Sequence, residues 1–219
     1  MTELVLAVNR QELDNQGVGT NGIYPIELSD LNQQNYAYLP RAFADNKSEN
    51  AIALGVQFPQ ILGYFQITCE GKILTYQRKG KEKGLLGKWS IGVGGHVSQE
   101  DFIEHTIECM EDYPNILSLI YSGAVRELKE ELGLDLEQFS KRVNFTHCIV
   151  DYTNTVGMVH FGIVAVIDLN DQDMEDMKQC AEELTDVQWR TVEQLQADAD
   201  QYENWSKALI TGEDGYEFK

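Results

Sequence analysis

Arg126-Glu127-Leu128-Lys129-Glu130-Glu131-Leu132-Gly133-Leu134 is the stretch whose reading decides this chain. Residues three and four apart are neighbours on a helix, so Glu127, Glu130 and Glu131 share one face. Leu128 and Leu132 continue a separate apolar stripe, and Gly133 suits the left-handed cap that ends a helix. A rigid helix edge with three carboxylates suits a hard divalent cation, which takes oxygen ligands and in turn partners phosphate oxygens. The pattern therefore points to phosphate chemistry. Glutamates at this spacing are ordinarily a solvated face, with Arg126 and Glu130 an i,i+4 ion pair. The complete string is rarer: Arg, three Glu and Gly at set offsets should arise by chance roughly once in several thousand chains of this size.

Upstream, Trp89-Ser90-Ile91-Gly92-Val93-Gly94-Gly95-His96-Val97 reads as a strand running into a Gly-Gly turn, and Gly123-Ala124-Val125 brings small residues just before Arg126. Together these segments resemble the Nudix box, G-x(5)-E-x(7)-R-E-U-x-E-E-x-G-U, where U is a bulky aliphatic residue. All seven defined positions from Arg126 to Leu134 match, and Gly95 takes the place of the opening glycine. The chain departs from the pattern in between. Gly95 and Arg126 are 31 positions apart where the pattern has 14, so about 17 residues are inserted. Counting six on from Gly95 reaches Asp101, with Glu100 beside it; counting eight back from Arg126 reaches Ser118, which cannot serve. Asp101 is the favoured counterpart of the first box Glu.

Composition bounds the rest. A chain of 219 residues suits one domain with an appendage. The formal charge of −19, from 36 acidic and 17 basic residues, argues against a nucleic-acid polymer or an anionic membrane as partner. Cys69, Cys109, Cys148 and Cys180 contain no C-x-x-C and read as idle thiols of a reducing, cytoplasmic setting. The N-terminus, with Glu3 and Arg10, has no signal-peptide pattern, and the apolar run from Phe161 to Ile167 is too short to span a bilayer.

Along the chain, residues 1–58 read as an N-terminal accessory segment packed on the core, containing a short strand at Leu4-Val8 and a Gly/Asn-rich loop. Residues 59–219 read as the main domain, with an insertion at about 101–118. Leu62–Thr68 and Lys72–Gln77 predict a hairpin around Glu70-Gly71. Ser98 and Asp101 resemble a capping box that opens an amphipathic helix through Met110, expected to lie beside the site. The period of Ile116, Leu119, Ile120, Ala124, Leu128 and Leu132 predicts a helix with its glutamates outward. Phe145–Tyr152 and Val156–Leu169 read as strands, as does Val187-Gln188-Trp189, and Thr191 caps a final helix. This order agrees with what the resemblance implies, an α/β fold: a Nudix-like α/β/α sandwich with a mixed sheet.

The resemblance also implies a reaction. Glu127, Glu130 and Glu131, with the backbone carbonyl of Gly95, would hold Mg²⁺ or Mn²⁺, and Arg126 would fix the glutamates. Glu127 is the first choice for the water-activating base; Glu182 and Glu183 are the second, although their whole segment is acidic and reads more readily as solvated. Five of the 17 basic residues, Arg78, Lys79, Lys81, Lys83 and Lys88, fall between positions 78 and 88, a local reversal of charge able to receive a phosphate. Arg78 and Lys88 are the substrate-binding candidates there, with His96 beside the Gly-Gly turn. His160, inside an apolar strand, reads as a core residue. The expected activity is hydrolysis of a diphosphate linkage in a small nucleoside-diphosphate-type or related molecule, and a homodimer is compatible with it. The competing readings are an isopentenyl-diphosphate-isomerase-like enzyme, which would need a catalytic cysteine, and a non-catalytic nucleotide-sensing module.

Overall fold

The computed structural model describes residues 3–25, 35–42, 48–79, 85–101, 116–134, 143–170, 173, 177, 184–212 and 215–217. Ten strands among them form one mixed sheet: β1 (Leu4–Val8), β2 (Asn21–Tyr24), β3 (Tyr36–Pro40), β4 (Gln60–Cys69), β5 (Lys72–Arg78), β6 (Trp89–Ser90), β7 (Gly92–Val93), β8 (Val143–Asp151), β9 (His160–Leu169) and β10 (Leu184–Arg190). The main path runs β10-β5-β4-β9-β8-β2, with β4 and β9 parallel over ten residues and the other neighbours on it antiparallel. β6 pairs with β5, and β7 with β4. The helices are α1 (Arg10–Asn15), α2 (Glu49–Gln57), α3 (Ile116–Leu132), α4 (Val192–Ala197) and α5 (Asn204–Thr211).

Side chains alternate across a strand, so the central strands feed two cores. Ile61, Phe65 and Ile67 of β4, with Phe161, Ile163 and Ile167 of β9, face a layer formed by α1 and α3. Leu119, Ile120, Leu128 and Leu132 of α3 are fully buried there, each contributing ~1.5–3 kcal/mol by leaving water. Tyr64 of β4 and Val164 of β9 face the opposite layer, where Leu195, Trp205, Leu209 and Ile210 of α4 and α5 pack. The arrangement is the α/β/α sandwich expected, with a curled mixed sheet in the middle.

The hairpin forms where its pattern placed it, turning through Glu70 and Gly71, both left-handed at φ 48° and 72°. The strand expected from Val156 begins instead at His160. Asn154 Oδ1 accepts the amides of Val156 and Gly157, and a 3₁₀ turn fills Gly157–Val159 before the ladder starts. The single C-terminal helix expected after Thr191 is two. α4 ends at Ala197, a 3₁₀ turn follows at Ala199–Gln201, and α5 starts at a buried cap. Glu203 Oε1 accepts from the Ser206 amide and the Tyr64 hydroxyl, and Oε2 from the Trp205 amide, which ties α5 to β4.

The N-terminal residues enter the same sheet. β1 lies between β3 and β4, pairing with β3 over five residues and with β4 at Ala7–Gln60, and Leu6, Val8 and Leu13 join the α3-side core. The Leu6 amide donates to the Val97 carbonyl, so this segment borders the Gly-Gly turn. Among the described residues no helix is long and apolar enough to cross a membrane. Residues 102–115, where the helix inside the insertion was expected, lie outside the described residues.

Candidate active site

α3 presents its carboxylates because its apolar period turns the other side inward. Glu127 is mostly buried, with 19% of its side chain exposed, whereas Glu130 is 63% exposed. Glu131 turns Oε2 into the protein. Arg126 is the hub of the site. Its Nε donates to Asp101 Oδ1 at 2.8 Å, and its Nη2 to Asp101 Oδ2 at 3.2 Å and to the His96 carbonyl at 3.1 Å. Its Nη1 donates to Glu127 Oε1 at 2.9 Å and lies 3.7 Å from Glu130.

Asp101 is 1% exposed, and both its oxygens are engaged. Besides Arg126, Oδ2 accepts the Ser98 amide at 2.7 Å, and the Asp101 amide donates back to Ser98 Oγ at 3.2 Å. The capping pattern expected there is therefore present. It makes Asp101 an anchor for Arg126 instead of a group open to solvent. These contacts join residues 25 apart in sequence, Asp101 and Arg126.

Gly95 sits directly against the helix. A Cβ built on it would lie 2.5 Å from Glu127 Oε1 and 2.6 Å from its Cδ, so only a glycine lets the turn approach this carboxylate. The Gly95 carbonyl accepts the Gly63 amide at 3.0 Å, which pins the turn to β4. Gly94 is in the left-handed region at φ 149°, and a side chain there would strike the Gly63 carbonyl. One prediction follows from the difference between the two glycines. In Gly95→Ala the obstacle is the movable end of a side chain, so the melting temperature should change by less than ~3 °C, while displacement of Glu127 lowers activity more than about tenfold. Calorimetry and turnover on the same preparation check it; equal activity would show that Glu127 need not sit where it does.

Burial raises the pKa of Glu127, Arg126 lowers it, and Glu130 and Asp101 raise it again; the balance lies above the ordinary carboxylate value. Burial alone would pull the Arg126 pKa down, but its bonds to Asp101 and Glu127 and their charges more than offset this. Three carboxylates, Asp101, Glu127 and Glu130, surround one guanidinium, a formal local charge of −2, and Glu131 adds a further carboxylate on the same helix. An all-oxygen donor set with that surplus fits a hard cation, which would relieve the repulsion that raises Glu127. Among the described residues no three His, Cys, Asp or Glu side chains already converge on one point.

The other candidates divide between the two faces. Arg78 ends β5 on the α3 face, four and two residues after Leu74 and Tyr76 of that core, and Arg78 and Glu131 act on the buried Tyr76 hydroxyl in opposite directions. Lys88 instead reaches the other layer, its Nζ donating to the Asp200 carbonyl at 3.2 Å. His96 sends its carbonyl to Arg126 and its ring to His160 on the opposite face of the sheet, a pairing with no sequence signature. His160 is 7% exposed, as a core residue should be. Lys81, Lys83, Glu182 and Glu183 lie outside the described residues. Sequence reasoning missed Tyr76, whose hydroxyl donates to the Gly92 carbonyl at 2.7 Å and so braces the strand leading to the Gly-Gly turn. A tyrosine in an apolar strand reads simply as core.

No family model matches the chain. It is 29% identical to Protein YmaB of Bacillus subtilis (strain 168) over 158 residues, 70% of this chain and 70% of that protein. Its structure resembles the crystal structure of Tm1382, a candidate Nudix hydrolase, with a TM-score of 0.68 and 19% identity over 95% of this chain and 96% of the other. The likeness is one of fold and extends over nearly the whole of both chains.

Proposed function

We propose that this chain, which has the Nudix fold, is a Nudix-type pyrophosphohydrolase that cleaves a diphosphate linkage in a nucleoside-diphosphate-type or related small molecule, with Mg²⁺ or Mn²⁺ as cofactor. The observation that carries the reading is the joint placement of Glu127, Glu130 and Glu131 on one helix edge, with Arg126 locked to buried Asp101 and Gly95 against Glu127. A solvated face would need none of these supports.

Diphosphates hydrolyse slowly because a nucleophile must approach a shell of negative oxygens. Glu127, Glu130 and Glu131 would hold the ion, which when bound supplies positive charge to those oxygens. Arg126 commits four of its five N–H donors to Asp101, Glu127 and the His96 carbonyl, so its part is to hold Glu127 in place. Glu127, raised by burial toward the range where a carboxylate can take a proton, is the first choice to accept one from the attacking water; Glu182 and Glu183 are the second. Arg78, on the α3 face at the end of β5, would receive a substrate phosphate. Lys88 and His96 are weaker candidates, since both side chains are directed to the far layer.

The isomerase reading is disfavoured by the two described cysteines. Cys148 is fully buried, its thiol pushed up to about 12 by burial, and Cys69 is buried at the end of β4. The decisive experiment is a panel of nucleotide sugars, dinucleotides, coenzymes and nucleoside triphosphates with Mg²⁺ or Mn²⁺ and product masses. Cleavage between two phosphorus atoms that stops with EDTA supports the proposal. Inertness across the panel, with tight binding of one member, would favour the sensing module.

A further inference from the structure

The sheet face opposite α3 carries a second convergence of donor atoms. His96 bridges to Leu62 from one flank of β4, and His160 lies in register with Gln60 from the other. Directly paired residues share a face, so both side chains project on the side of Leu62 and Tyr64, the side away from Glu127. They meet over β4 with their Nε2 atoms 3.3 Å apart, ring centroids 5.3 Å apart and planes at 61°. His160 Nδ1 lies 2.7 Å from the Val156 carbonyl oxygen. A carbonyl can only accept, so Nδ1 carries the proton and the Nε2 lone pair faces His96. That tautomer, fixed by an outer carbonyl, is the one metal-ligating histidines ordinarily adopt.

The spacing matters as much as the tautomer. Two nitrogens each about 2.0–2.1 Å from a tetrahedral ion lie roughly 3.3–3.4 Å apart, a separation the pair already has. Beside them Gln60 is 2% exposed; its Nε2 donates to the Arg41 carbonyl at 3.3 Å, while its Oε1 is buried with no hydrogen-bond partner among the described residues. Leaving a buried amide oxygen unsatisfied costs free energy that a bound ion, or the water it carries, would remove.

We propose that His96 and His160, with Gln60 Oε1 as an oxygen donor, form a second metal site for a borderline transition ion such as Zn²⁺, separate from the glutamate edge. Imidazole suits Zn²⁺, Co²⁺, Ni²⁺ and Cu²⁺, and carboxylates suit Mg²⁺, so the two faces of one sheet sort ions by ligand type. Without metal, His96 supplies the Nε2 proton shared with His160. On binding, that proton moves through solvent to His96 Nδ1, both rings stay neutral, and no net proton is released. Burial, His160 and the charges of Arg41 and Arg126 all keep His96 neutral at physiological pH, the form that ligates.

The test is a Co²⁺ titration of the full chain carrying Glu130→Gln and Glu131→Gln, so that the helix edge does not compete. The expected result is the intense visible absorption of four-coordinate, nitrogen-ligated Co²⁺, saturating at one equivalent, displaced by Zn²⁺ and unaffected by millimolar Mg²⁺. In that background His160→Ala and His96→Asn should each weaken binding by more than about tenfold. Circular dichroism identifies variants that fold; should His160→Ala not fold, His96→Asn, at a half-buried turn position, decides alone. Absence of the band at millimolar Co²⁺, or a band unchanged in His96→Asn, overturns the proposal.

Discussion

Replacing Glu131 with Gln is expected to lower activity on the best panel substrate by two to four orders of magnitude, ~3–5 kcal/mol of transition-state stabilisation, while the fold survives. Gln keeps the size and most of the hydrogen bonding of Glu but removes the charge that would hold the ion. Mg²⁺ should raise the melting temperature of the parent protein by linkage and leave that of Glu131→Gln unchanged. Glu193→Gln, on the exposed first turn of α4, is the control and should alter neither quantity. If Glu131→Gln and Glu193→Gln retain equal hydrolase activity, the three glutamates are a solvated face and the proposed function fails.

A related outcome concerns pH without metal. Glu127 has a folded-state pKa raised by burial, so its contribution to stability is fully present below the unfolded pKa and is lost as pH rises through the folded pKa. In EDTA, Glu127→Gln should therefore gain stability over the parent protein at neutral pH, and the gain should vanish on acidification toward the ordinary carboxylate pKa. Chemical denaturation at several pH values reads this directly. A variant less stable at neutral pH than at pH 4, relative to the parent, would show that Arg126 dominates over burial.

The second large effect belongs to Arg126. Arg126→Ala leaves Asp101, 1% exposed, with the Ser98 amide but no countercharge, and removes the tie to the His96 carbonyl. Breaking a buried ion pair by deleting one partner costs ~3–5 kcal/mol, because the remaining charge stays desolvated. Part of that cost is relieved here, since 28% of the Arg126 side chain is exposed and water can enter where it was. The expected loss is about 2–4 kcal/mol in urea denaturation, together with loss of activity. The double variant Arg126→Ala, Asp101→Ala should recover much of the stability and none of the activity. If the single and double variants are equally unstable, the two residues are not energetically coupled and Asp101 is not the anchor.

Several elements of this molecule were legible in its sequence because their causes are local. The apolar period from Ile116 to Leu132 dictates a helix and which side of it is buried, and the three glutamates are then neighbours by helical geometry alone. Glu70-Gly71 turns the hairpin because a two-residue turn of that hand needs left-handed backbone. Ser98 and Asp101 cap each other over three residues. Other features depend on what meets what across the fold. Nothing near residue 4 announces that β1 enters the main sheet between β3 and β4, since strand pairing is a choice among partners far away in the chain. Asp101 was legible as a cap, but that its carboxylate also anchors Arg126 is a contact between residues 25 apart in sequence, which no local pattern announces. His96 sits beside the box in sequence yet sends its ring to the other layer, because alternation along the chain separates it from Gly95; Lys88, just before β6, reaches that layer through the Asp200 carbonyl. Local periodicity and turn chemistry thus determined the elements and the chemical character of the helix edge. Tertiary pairing alone decided which charged groups reach that edge and which meet behind it.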